Sequence, residues 1–300
     1  MKNFLILLLS LVLFAQCKKQ EPISITTEQN NIIQQKEEKN VGLSKDRIVK
    51  QDGSSYTLEE LNALSHTELM QAVYEPPRDT IKTIGILLYE GYFMLDAMGP
   101  LSVLNHIHPA QKLLIGREKG LVTSSDNVKI QVDHSINDIE QLDILIVPGG
   151  VVETYKATQD QELLSWIRKI DQKSKYTASV CTGAWILGAA GVLEGKQATT
   201  NWYKAEENLE KYGAQFVQKR YTHDGKYWTS AGVSAGIDMS LALVDHIMGR
   251  NYAQFTALNL EYDPDPPFEG GHPDKTDQVV TFMTEKMYDQ LLHTVSTEKN

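Results

Sequence analysis

The segment Asp143-Ile144-Leu145-Ile146-Val147, closed by Pro148-Gly149-Gly150, constrains this chain most. Four successive apolar residues leave no polar face, so the strand they form is buried on both sides. Pro148 has no N–H for a ladder, and the paired glycines favour a turn. A strand covered on both faces needs helices above and below it, and the flanking sequence supplies them. Thr83 to Tyr89, Lys112 to Gly116 and Tyr176 to Val180 are further strand-like runs. Phe93 to His106 is helical in period, with Gly99-Pro100 interrupting it, and Gln161 to Lys173 is amphipathic. Ala184 to Ala190 follows the Tyr176–Val180 run as helix, and Val122 to Val132 alternates like a hairpin. Further on, a helix is expected near Tyr203 to Tyr212, a hairpin around His223-Asp224-Gly225-Lys226 and a helix from Ala235 to Met248. A proline-rich loop, Tyr262 to Phe268, precedes a last helix from Asp277 to His293. Alternating β and α elements predict a doubly wound α/β fold with a mostly parallel sheet.

The region before this pattern has a different character. Met1-Lys2-Asn3 is a short positive segment, and Phe4 to Phe14 is an apolar run with the length of a secretory core, too short to span a bilayer. Cys17 follows directly, in a context that resembles a bacterial lipobox, where the cysteine carries the lipid and becomes the first mature residue. Gln16 departs from the small residue usual there, so a plain signal peptide or an uncleaved anchor is the alternative. Residues 1–17 are read as a lipoprotein-type signal peptide, and residues 18–52, rich in Gln, Glu, Lys and Asn, as a disordered tether. Residues 53–80 form a short helical segment. Within it, Thr57-Leu58-Glu59-Glu60 and Ser65-His66-Thr67-Glu68 have the capping-box pattern. Residues 81–300 are the α/β domain. The expected location is outside the cytoplasm, at a bacterial membrane facing the periplasm or cell surface. The net charge of −10 comes with no clustered basic footprint, which argues against nucleic acid as a partner.

In doubly wound sheets, ligands bind at the carboxyl ends of the strands. Three features fall there: Glu90 to Asp96, Pro148 to Gly150, and Cys181-Thr182. The chain holds two cysteines, Cys17 and Cys181, so lipidation of Cys17 leaves Cys181 as a lone thiol. Ser179 to Ala184 has the strand–turn–helix layout of a nucleophile elbow. The start of the following helix is expected to lower the Cys181 pKa toward thiolate. The alternative for Cys181 is a buried space-filler. Asp96 stands among apolar neighbours, where desolvation raises a carboxyl pKa and suits it to proton transfer, or it serves as a helix N-cap. Gly149 and Gly150, with Thr182, could offer backbone N–H groups to a developing oxyanion, or simply form a turn. His106 and His108 have an H-x-H spacing without a third ligand, so no metal is expected. His223 falls in a turn and is read as exposed.

Several segments together resemble the ThiJ/PfpI superfamily: Asp96 to Pro100, Val147 to Gly150, Val180 to Ala184, Gly191 to Thr200, Gly232 to Asp238 and Glu261 to Pro264. They run in order over about residues 81–270. The Cys181-Thr182-Gly183 elbow and Glu261-Tyr262-Asp263-Pro264 are similar to the isonitrile hydratase branch, and the domains joined to AraC-type regulators are equally close. The resemblance implies a flavodoxin-like sheet, a homodimer and no cofactor. It also implies Cys181 as nucleophile, Asp96 hydrogen-bonded to it and Thr182 as polar assistant, acting on a small electrophile such as an isonitrile. Thr182 stands where proteases and glyoxalase-like members carry histidine, which argues against peptidase activity and leaves aldehyde detoxification as a weaker alternative. Asn201 stands where relatives often carry histidine before Trp202. A non-catalytic ligand-binding or redox-sensing domain is therefore the alternative. The regulators' helix-turn-helix domain has no counterpart here.

Overall fold

The computed structural model describes residues 54–297; residues 1–17 and 18–52, read above as a signal peptide and a tether, lie outside the described residues. The chain divides into a unit ending at Ala72 and a second from Val73 onward. The first unit holds α1 (Leu58–Ala63) and most of α2 (His66–Val73). Both helices begin on the capping boxes read in the sequence. Glu60 N donates to Thr57 Oγ1 at 3.2 Å while Thr57 N donates back to Glu60 Oε2 at 2.8 Å. Ser65 N donates to Glu68 Oε2 at 2.8 Å in the same way. Each pair satisfies donors that a helix start leaves open.

The second unit is built on seven strands: β1 (Thr83–Leu87), β2 (Gln111–Gly116), β5 (His134–Ser135), β6 (Ile144–Val147), β7 (Tyr176–Val180), β10 (Tyr221–Asp224) and β11 (Tyr227–Ser230). Their order across the sheet is β10-β11-β7-β6-β1-β2-β5. Every pairing is parallel except the β10–β11 hairpin. This is the doubly wound α/β fold that the alternating pattern implied, with the flavodoxin-like sheet that the resemblance implied. Ile144, Leu145, Ile146 and Val147 are fully buried, as a strand without a polar face must be. Two small ribbons stand apart, β3 (Gly120–Thr123) with β4 (Lys129–Val132) and β8 (Gln197–Ala198) with β9 (Gln215–Phe216).

Helices α3 (Met94–Leu104), α8 (Ala235–Met248) and α9 (Arg250–Asn259) pack together in one layer. The other layer holds α4 (Val152–Ala157), α5 (Gln161–Lys173), α6 (Gly183–Ala189) and α7 (Ala205–Glu210). α10 (Gln278–Thr297) closes the chain and packs against α4. The Gly99-Pro100 pair does not end α3, which runs through to Leu104. A side chain at Gly99 would meet Ile237 of α8 at 3.1 Å, so glycine lets the two helices approach.

Candidate active site

The register aligns the ends of the central strands, pairing Ile86 with Ile146 and Val147 with Ser179. The loops after β1, β6 and β7 therefore meet at one edge of the sheet, and Asp96, Gly149, Gly150 and Cys181 come together there.

Cys181 is the elbow residue. Its φ is +57°, a left-handed conformation that costs a non-glycine residue roughly 1–2 kcal/mol. The surroundings hold it there. Cys181 N donates to Ser230 O at 3.1 Å, and Thr200 Oγ1 donates to Cys181 O at 2.8 Å. The turn also needs Gly183, where a Cβ would lie 2.1 Å from Val147 O. The thiol itself is 1% exposed.

The depressed thiol pKa expected from the helix start does not form. Burial pushes the Cys181 thiol well above its ordinary range, and the negative charge of Asp96 pushes it further. The Thr182 N–H and the Asn201 amide oppose this shift without overcoming it. α6 spans only Gly183–Ala189, and the desolvation of a fully enclosed sulfur outweighs its short dipole.

Asp96 lies in the first turn of α3 and is completely buried. It is not the N-cap, a place taken by Phe93. Its Oδ2 accepts from Gly149 N at 3.0 Å. Oδ1 is buried without a closed hydrogen bond, and the Cys181 thiol is the side-chain donor that faces the carboxyl group. Desolvation raises the Asp96 pKa to about 7, against the pull of the Gly149 N–H and the thiol. The site thus places a carboxyl group that titrates near neutrality beside a protonated thiol.

Thr182 is placed differently from the expectation of a polar assistant. Tyr89 Oη donates to Pro148 O at 2.9 Å, so the Thr154 hydroxyl must donate to Tyr89 Oη, also at 2.9 Å. The 2.9 Å bond between Thr154 Oγ1 and Thr182 Oγ1 then has Thr182 as donor. Thr182 Oγ1 also accepts from Gly150 N at 3.1 Å and Val151 N at 3.2 Å. The hydroxyl has no proton left for Cys181 or a substrate. Its work is to pin the turn after β6, where Val151 has a φ of +46°.

The same bonds correct the oxyanion expectation for Gly149 and Gly150. Gly149 N is engaged by Asp96 and Gly150 N by Thr182. What the glycines supply is room, since a Cβ at Gly149 would lie 2.7 Å from Thr182 Oγ1 and 2.8 Å from Asp96 Oδ2. The N–H directed at sulfur is that of Thr182.

The residue that sequence reasoning passed over is Asn201, treated there only as a missing histidine. Asn201 Nδ2 donates to Cys181 Sγ at 3.5 Å, and Asn201 Oδ1 accepts from Tyr203 N at 3.0 Å. The position was flagged by the Ala198-Thr199-Thr200 motif beside it, but the contact was not foreseeable from spacing. His106 and His223 make their contacts elsewhere. His106 turns its Nδ1 to the carbonyls of Ser102 and Val103, each at 3.3 Å. His223 is exposed and stacks on Trp228, with ring centroids 4.4 Å apart.

Comparison with known proteins follows the same elements. The sequence profile of the DJ-1/PfpI family matches residues 82–246, more than half of the chain and every strand of the main sheet. The chain belongs to the DJ-1/PfpI family. Among curated proteins of this family, it is 38% identical to an isonitrile hydratase of Pseudomonas putida over 197 residues, covering 66% of this chain and 86% of the relative. It is 29% identical to the HTH-type transcriptional regulator CdhR of Pseudomonas aeruginosa over 173 residues. That match covers 56% of this chain and only 51% of the regulator. Among solved structures, a ThiJ/PfpI family protein from Pseudomonas syringae superposes with a TM-score of 0.69 at 30% identity, over 73% of this chain and 90% of that one.

Proposed function

We propose that this chain is an exported, cysteine-dependent enzyme of small electrophiles, with isonitrile hydration as its reaction. The observation that carries the reading is the buried pair in which Asp96, titrating near 7, faces the Cys181 thiol. Similarity to an isonitrile hydratase supports it.

Only the thiolate is nucleophilic, and Cys181 rests as the thiol. As an isonitrile approaches, the Cys181 proton passes to the Asp96 carboxylate and the sulfur forms a bond to the terminal carbon. Asp96 then delivers that proton to the same carbon, giving a thioimidate with no net change in protons. Water adds to the thioimidate carbon, the C–S bond breaks, and an N-substituted formamide leaves with the thiol restored. Asn201 Nδ2 and the Thr182 N–H steady the sulfur while it carries charge. A domain exported on a lipid at Cys17, acting as a homodimer, completes this reading.

Turnover of an alkyl isonitrile by the purified protein, followed as formamide by NMR, tests the proposal. Formation by wild type and its absence in Cys181→Ala is the expected result. A Cys181→Ala protein that keeps full activity would overturn it.

A second reading has its own support in the regulator relative, which pairs a similar domain with another function. In it, Cys181 binds or senses without turnover, and peroxide oxidises the sulfur to a sulfinate that hydrogen-bonds Asp96. A protein that makes no formamide and gains two oxygens at Cys181 on peroxide treatment would favour this second reading.

A further inference from the structure

α10 lies beyond residues 82–246, the span shared with the family profile, yet it reaches the nucleophile's surroundings. Its Tyr288 ring stacks on Tyr203, with centroids 4.9 Å apart and planes at 19°, and meets the edge of Trp202 at 5.8 Å. Both partners immediately follow Asn201. One residue on, Asp289 fastens the helix down. Tyr203 Oη donates to Asp289 Oδ1 at 2.6 Å and Lys204 Nζ at 3.0 Å. Burial raises the pKa of the Tyr288 phenol, and the neighbouring Cys181 and Asp96 raise it further. α10 therefore lies against the loop whose first residue donates to the sulfur.

Asn201 has few degrees of freedom left. Its Oδ1 is taken by Tyr203 N, which points the Nδ2 group toward Cys181 Sγ. An amide oriented in this way supplies an N–H to a thiolate without titrating.

We propose that Asn201 and Tyr288 are positioning residues for the Cys181 nucleophile: α10 stacks the Tyr288 ring on Tyr203, whose N–H fixes the Asn201 amide, and that amide gives the sulfur its side-chain hydrogen bond. The proposal rests on reading Cys181 as a nucleophile, but its test does not require turnover.

The test is the rate of Cys181 alkylation against pH, measured with iodoacetamide and with the bulkier N-ethylmaleimide and assigned by peptide mass. Removing a donor from the thiolate raises the thiol pKa and displaces the whole log-rate curve toward higher pH. Asn201→Ala is expected to slow alkylation about tenfold at a given pH, the low end for a hydrogen bond to a charged group. Tyr288→Leu, which removes the ring stacked on Tyr203, is expected to slow it about threefold in the same sense. Both reagents must show the same displacement, because both read the thiolate fraction. An unmoved curve in either variant, or a displacement that depends on reagent size, overturns the proposal. A loss of thermal stability with the curve unmoved shows a structural role only and also overturns it. Asn201→Ser replaces the alanine variant if the latter does not fold. Displaced curves in a protein that turns over no isonitrile would sink the hydratase reading and leave this inference standing.

Discussion

Two buried acids that face each other cannot both ionise cheaply, and Asp96 beside Cys181 is such a pair. With Asp96 raised from 3.8 to about 7 and the thiol higher still, the first proton to leave the pair belongs to the carboxyl group. In the proposed reaction the competent state keeps one proton, on sulfur, with Asp96 ionised to receive it. Activity is therefore expected to rise with pH through about 7, visible as an acidic limb in kcat/KM. Asp96→Asn should abolish that limb and lower kcat by about 10²–10⁴-fold, the range for losing a positioned proton carrier. Stability gives an independent check. A carboxyl whose folded pKa lies above its unfolded value contributes most below about 4, and loses that contribution as pH rises through about 7. Charging this enclosed group costs on the order of a few kcal/mol. Asp96→Asn should thus melt higher than wild type in alkaline buffer, and the gap should close in acid. A gap that stays constant across this range would show that Asp96 does not carry the buried charge.

The elements that hold this pair make separate demands on the sequence. The strands were legible because a run such as Ile144–Val147 has one solution, burial on both faces, and because Tyr176–Val180 leads straight into an elbow. The helices at Gln161–Lys173 and Ala235–Met248 were legible at both ends for a related reason, their amphipathic or apolar period. The directions of the hydrogen bonds were not legible. Nothing in the spacing says that the Thr182 proton is consumed by Thr154, or that Gly149 N serves Asp96. Those assignments depend on how β1, β6 and β7 lie side by side. The same limit hid α4, a single short helix after the glycine turn. Thr182→Val tests the turn. It leaves Gly150 N and Val151 N without their acceptor, at about 1–3 kcal/mol for each buried donor. Thr182→Ser keeps the oxygen and should stay close to wild type in chemical denaturation. A catalytic hydroxyl would instead make kcat fall further than stability in the valine variant. Equal stability of the valine and serine variants would refute the pinning role.

At the scale of the whole molecule, the compartment bears on the thiol. In the exported location proposed for the chain, a free cysteine would meet oxidation and disulfide exchange, and the enclosure that leaves Cys181 1% exposed would protect it. Cys17 stands in the sequence between an apolar run and a polar segment. Lipidation would remove it as a thiol and fix the chain to a membrane. Expressed in a Gram-negative host with labelled palmitate, wild type is expected to incorporate label and sediment with membranes. Cys17→Ser should do neither, and after purification it should alkylate at Cys181 at the wild-type rate, because the anchor and the elbow are separate parts of the chain. Membrane sedimentation without label in wild type, unchanged in Cys17→Ser, would instead identify residues 4–14 as an uncleaved anchor.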